Sequence, residues 1–113
     1  MNKESKDERI FEEIVSETKK LNEFLDSYSE IEVKKNPLLQ KAICLRILHL
    51  ARAYKKLGGR YAKAFGEFHE SLKGYAERIE SGLSSFEASS LVEKAREELP
   101  LLLSRVNKIK DSL

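Results

Sequence analysis

Tryptophan is absent from this chain, and there are only one cysteine and two prolines in 113 residues; each scarcity narrows what the protein can be. A single cysteine closes no internal disulfide, so the chain is not a disulfide scaffold, and this usage fits a reducing compartment, the cytoplasm. Cys44 lies inside an apolar run and reads as a small buried hydrophobe. No apolar run approaches the roughly 20 residues that span a bilayer. The opening MNKESKDERIFEE is too acidic and polar for a secretory leader. His49 and His69 form no HxxxH or HxxE pair, so neither a metal site nor a cofactor is expected. Missing as well are the phosphate-cradling GxxxxGK[ST], the dinucleotide GxGxxG and the GxSxG nucleophile elbow.

What remains is helical periodicity in a charged chain, with 35% Asp, Glu, Lys and Arg. The stretch that organises it is NPLLQKAICLRILHLARAYKKL, residues 36–57. Asn36 followed by Pro37 reads as a cap and a first helical residue, and Gly58-Gly59 reads as the stop. Leu39, Ile43, Ile47, Leu50, Tyr54 and Leu57 make one apolar stripe, which Leu38, Ala42, Leu45, Leu48 and Ala53 widen. Such a helix touches neighbours on several sides, and its surplus apolar surface suits a homodimer. His49, flanked by apolar residues, is expected to be packed in the core.

Before it, Ser5 and Glu8 form a capping box for a helix over 6–28, with Ile10, Phe11, Ile14, Val15, Thr18, Leu21, Phe24, Leu25 and Tyr28 on one face. SEIEVKKN reads as a connector. After it, Tyr61, Phe65, Phe68, Leu72, Tyr75, Ile79 and Leu83 give a narrow seam for a helix over 60–81. Gly66 and Gly74 lie inside that helix, each costing about 1 kcal/mol against alanine, so either they permit close approach or the segment breaks near one of them. Ser84 and Glu87 open a last helix whose phase runs from Ala88 to Leu113, with a kink or short break expected at Leu99-Pro100. The expectation is a single domain over 1–113, all-α, an antiparallel bundle of four or five helices.

Charge is uneven. Residues 1–32 sum to −5, residues 33–78 to +8 and residues 79–113 to −1. The basic middle could attract RNA phosphates or an acidic partner; equally, the acidic first helix could pack beside it and neutralise it. Candidate binding residues are Arg46, Arg52, Lys55, Lys56, Arg60, Lys63, Lys73 and Arg78. Any RNA binding is expected to be weakly specific and to fall steeply with salt.

Three strings carry a family resemblance. Residues 36–57 contain Leu39-Gln40 with Ala42 two residues on. SSFEASSLVEKAREELPLLLSRVNKI places an acidic pair before Leu-Pro, at Glu97-Glu98-Leu99-Pro100. ERIFEEIVSETKKLNEFLDSY fits a first helix. In order and texture these resemble the HEPN domain, in its HepT-like branch. That resemblance implies a small helical homodimer, many of whose relatives are RNase toxins paired with a minimal nucleotidyltransferase. It also implies a nuclease motif, an arginine and a histidine with four to six residues between them, often followed by Gly-Tyr. The chain departs from it there. In FHESLKGY, Gly74 and Tyr75 match, but Lys73 stands in place of histidine and Phe68 near the arginine, and Ala51-Arg52 replaces a glycine-glutamate pair. Lysine, with an ordinary pKa near 10.4, is a poor substitute for an imidazole base. Tyr75 corresponds to the tyrosine that a nucleotidyltransferase partner can modify with AMP; as part of the helical seam it reads equally as core.

The leading expectation is therefore a non-catalytic HEPN/HepT-like protein, acting as a dimeric partner or nucleic-acid-binding module in a toxin–antitoxin type system. One rival is a divergent ribonuclease using His69, Lys73 and Arg78. The other is a structural or regulatory helical protein of unrelated ancestry.

Overall fold

The computed structural model describes residues 5–113, and every regular element among them is helical. Helix α1 spans Lys6–Asp26, α2 Glu30–Lys35, α3 Pro37–Lys55, α4 Ala62–Phe65, α5 Glu67–Ser81 and α6 Ser85–Asp111. The four long helices form an antiparallel bundle, with α2 and α4 as short pieces in the connections. The fold class and the number of long elements agree with the sequence reading.

Local chemistry explains most boundaries. Ser5 accepts from Glu8 N to start α1. Asn36 accepts from Leu39 N, with Pro37 behind it, to start α3. Ser84 and Glu87 form a reciprocal capping box on α6. The segment SEIEVKKN is not a plain connector: Ser29 and Glu32 make the same capping box and wind α2, whose Val33 is buried. The run over residues 60–81 does break, at Gly66. With φ at 60° and ψ at −130°, Gly66 takes a conformation that side chains resist, and it separates α4 from α5. Gly74 stays inside α5.

Pro100 does not break α6, which runs uninterrupted through it. Pro100 is exposed, and its missing N–H costs α6 only the one bond to the carbonyl of Arg96. Leu99 and Leu102 on either side are buried, and their packing holds the helix together across the proline.

Helix α3 is central and packs on α1, α2, α5 and α6. Its core stripe is buried from Ile43 to Leu57, joined by Phe11, Ile14, Leu21 and Leu25 of α1, Leu72 and Tyr75 of α5, and Leu91, Leu99, Leu102 and Val106 of α6. Its remaining face is open. Leu38, Ala42, Leu45, His49 and Arg52 step along one exposed stripe. His49 thus lies at the surface and not in the core: apolar neighbours in sequence belong to other faces of a helix that turns about 100° per residue.

Three side chains close helix ends from a distance. Buried Gln40 donates Nε2 to the carbonyls of Val33 (2.9 Å) and Lys34 (3.3 Å) at the end of α2. Arg96 of α6 donates to Leu25 O at 2.8 Å and Tyr28 O at 3.1 Å, beyond an α1 whose last turn holds no basic residue. Arg105 donates to Ala64 O at 3.1 Å and lies over the Phe68 ring, capping α4. Each supplies donors to carbonyls at or just past a helix end, where the helix has no N–H four residues on to offer them.

Candidate functional site

The C-terminal half of α3, the Gly58-Gly59 turn and the outer face of α5 enclose a cleft of about 350 Å³. Its chemistry comes from Arg52, Tyr54 and Lys55 on one wall and from His69, Lys73, Glu77 and Glu80 on the other. Positions 69, 73, 77 and 80 recur at helical spacing, so one face of α5 supplies the whole second wall. Leu72, Ala51 and Ala76 form its apolar lining.

Tyr54 is buried, 4% exposed, between the ring of Phe65 (centroids 4.5 Å apart) and that of His69 (5.7 Å). Its hydroxyl meets His69 Nδ1 at 2.5 Å. Burial and the nearby charge of Glu70 push the Tyr54 phenol above its ordinary range, so it keeps its proton at neutral pH. At the rim Arg52 pairs loosely with Glu80 at 3.7 Å, both half exposed. Lys55 and Lys73 have no ion-pair partner among the described residues. The cleft thus holds three cations against two carboxylates.

The other basic candidates lie elsewhere. Lys56 is held by Glu13 of α1 at 3.1 Å, and Arg60 by Asp7 at 2.7 Å. Asp7 also accepts from the Tyr61 hydroxyl at 2.8 Å, the main reason the Tyr61 phenol titrates above its ordinary range. Arg46 lies over the Phe24 ring, 5.8 Å from its centroid. Lys63 is exposed on α4, and Arg78 is exposed on α5 but off the cleft, since five residues beyond Lys73 is about 140° around the helix. His69 and Lys73 are therefore brought together, and Arg78 is not brought to them. Part of the basic middle is neutralised by acidic α1, and part remains free.

No family model, curated protein or solved structure matches the chain.

Tyr75 is 3% exposed and donates its hydroxyl to Glu98 of α6 at 2.9 Å. Burial first, and the hydrogen bond and charge of Glu98 next, raise its pKa strongly. The hydroxyl is an α5–α6 clasp in this conformation, and a modifying enzyme would have to open the bundle to reach it. Among the described residues no group of His, Cys, Asp and Glu is arranged to hold a metal ion.

A second concavity, about 410 Å³, lies at the other end of α3 among Pro37, Cys44, Leu45, Ile79, Leu83 and Ala88. Burial raises the Cys44 thiol above its ordinary pKa and leaves it a weak nucleophile. Leu45 (54% exposed) lines this groove, Leu38 (78%) lies on the same exposed stripe of α3, and Phe86 (81%) lines a separate concavity with Lys34 and Glu93.

Sequence reasoning placed His69 and Lys73 but missed Tyr54, which it assigned to the core stripe alone. Tyr54 is in that stripe, and its hydroxyl also meets His69 of the cleft wall. A tyrosine where leucine would serve the core equally well is the signal that could have marked it, because a buried phenol needs a polar partner.

Proposed function

We propose that the chain is a non-catalytic, HEPN/HepT-like binding module whose α3/α5 cleft holds the backbone of single-stranded RNA. The observation that carries this reading is the meeting of Lys55, Lys73, Arg52 and His69 in one cleft with no arginine–histidine pair of the nuclease type. Two unpaired ammonium groups and an imidazole bind phosphate by charge and hydrogen bonding. Among the described residues the cleft has no exposed Phe, Tyr or Trp to stack a base, so binding is weak in sequence preference.

A divergent ribonuclease using His69, Lys73 and Arg78 is less well supported. Arg78 lies off the cleft, and the Tyr54 hydroxyl occupies one nitrogen of His69. The test is fluorescence anisotropy with a labelled single-stranded RNA at low salt, followed by gel analysis of the same RNA with and without EDTA. Binding that weakens severalfold in Lys55→Ala/Lys73→Ala, with the RNA intact, is the expected result. No binding at low salt overturns the reading, and cleavage lost in His69→Ala revives the nuclease.

A second reading, self-association, is favoured by Leu38 and Leu45, large apolar side chains left exposed on one stripe of α3, of which Leu45 lines the groove. Sedimentation should give a dimer that Leu45→Glu dissociates; a monomer of 13.0 kDa at roughly tens of micromolar refutes it. A minimal nucleotidyltransferase as a further partner remains a proposal from the resemblance alone.

A further inference from the structure

We propose that Tyr54 is a positioning residue that fixes His69 in the tautomer protonated on Nε2, which makes His69 a hydrogen-bond donor to a phosphate oxygen in the cleft and leaves it unable to serve as a base. The proposal rests on the cleft being an anion site and adds the state of its imidazole.

Tyr54 is buried, and among the described residues His69 Nδ1 is the one hydrogen-bond partner of its hydroxyl. A neutral imidazole carries one proton, on one nitrogen or the other. With the proton on Nε2, Nδ1 accepts from the phenol and the buried O–H is satisfied. With the proton on Nδ1, the ring would donate to the phenol oxygen and the phenolic proton would be left buried without an acceptor. Burying a donor unmatched is the costly arrangement, so the first tautomer holds. The raised titration of the phenol leaves its proton in place at neutral pH. Phe65 against the Tyr54 ring, and Tyr54 against the edge of His69, leave the pair little freedom to turn.

The consequence falls on Nε2. It has no hydrogen-bond partner among the described residues and is not among the buried polar atoms left unpaired, so it faces solvent on the cleft side. In the neutral ring Nε2 is N–H, and the lone pair of Nδ1 is taken by Tyr54. The nitrogen that faces the cleft already holds its proton and has no lone pair with which to take one from an RNA 2′-hydroxyl. What His69 offers is an N–H beside the ammonium groups of Lys55 and Lys73, three donors lining one cleft. Such a set takes an acceptor-rich anion, and a phosphodiester oxygen fits it. Glu77 and Glu80 on the same wall disfavour a second phosphate close by.

The test is long-range ¹H–¹⁵N correlation spectroscopy of the intact chain above the range where imidazole titrates, with a His49→Gln variant to assign the two histidines. The expected result is His69 with Nε2 in the protonated range and Nδ1 in the bare-nitrogen range, beside an exposed His49 that averages both tautomers. Tyr54→Phe keeps the ring packing and should shift His69 toward the mixture shown by His49, while RNA affinity falls about threefold, in line with one exposed donor losing its orientation. Titration with a short single-stranded RNA should move the His69 Nε2–H signal and leave its proton in place. A wild-type His69 protonated on Nδ1, or one averaging like His49, overturns the proposal even where RNA binds. Absence of RNA binding with the Nε2–H tautomer present overturns the phosphate role and the binding reading together, and leaves the Tyr54–His69 pairing established. If Tyr54→Phe fails to fold, the wild-type tautomer alone decides the positioning role.

Discussion

Gly66 and Gly74 belong to the same stretch over residues 60–81, yet replacing each with alanine should move stability in opposite directions. At Gly66 the positive φ of 60° resists any side chain, and a Cβ would sit 3.3 Å from Arg105 Nη1, which caps α4. Gly66→Ala is expected to cost roughly 1–3 kcal/mol. At Gly74 the backbone is helical and a Cβ would meet nothing within 4 Å, so Gly74→Ala should gain up to about 1 kcal/mol. Thermal melts read both, since 1 kcal/mol is worth about 4–8 °C in a domain of this size. Arg96 gives a third residue-scale outcome. Two charge-assisted bonds to the Leu25 and Tyr28 carbonyls disappear in Arg96→Met, for an expected loss of about 2–3 kcal/mol by urea denaturation. Arg96→Lys should recover only part of it, because an ammonium does not reproduce the planar fork.

At the scale of elements, the long helices were legible because period and caps agree in them. Asn36-Pro37, Ser84/Glu87 and the stripe from Leu39 to Leu57 point to the boundaries and buried faces that the structure has. Helix α2 was missed because six residues with one buried apolar position show no helical period, although Ser29/Glu32 is the same capping box that marked α6. The uninterrupted passage of α6 through Pro100 depends on tertiary packing of Leu99 and Leu102 and on which face meets water, neither of which a local rule contains. The caps by Arg96 and Arg105 join parts of the chain 40 or more residues apart, and no spacing announces them. The cleft was half legible: His69 and Lys73 are helical neighbours, but Lys55 and Tyr54 reach them only once α3 and α5 pack. The α6 capping box also carries a pH dependence. Hydrogen bonds from Ser84 hold the Glu87 carboxyl below its ordinary value of 4.5. A carboxylate whose folded pKa is depressed contributes stability that is fully present above about 4.5 and is lost as pH falls through the lower folded value. Ser84→Ala should therefore flatten the acid limb of the stability–pH profile in that window while adding a loss at neutral pH from the missing cap, about 1 kcal/mol.

For the whole molecule, the question is how much of the +8 middle segment faces a ligand. Eleven Lys and Arg residues lie between positions 33 and 78. Lys34, Arg52, Lys56 and Arg60 are engaged by Glu93, Glu80, Glu13 and Asp7. Arg46 covers the Phe24 ring. Acidic α1 thus neutralises one end of α3, and the free cations that share the cleft are Lys55 and Lys73. Single-stranded nucleic acid releases counterions so that log K falls against log salt with a slope of about −0.7 per phosphate neutralised. If every basic residue of the segment served, the slope would approach about −8; with Lys55 and Lys73 alone it should be about −1.4, and near −2 if Arg52 leaves Glu80 for the ligand. Anisotropy titrations across a range of salt concentrations separate these cases. A shallow slope that drops further by about 0.7 in Lys73→Ala fits the cleft. A slope steeper than about −4 would mean that RNA spreads over a broad face that includes Lys35, Lys41 and Lys63, and the cleft would no longer account for binding.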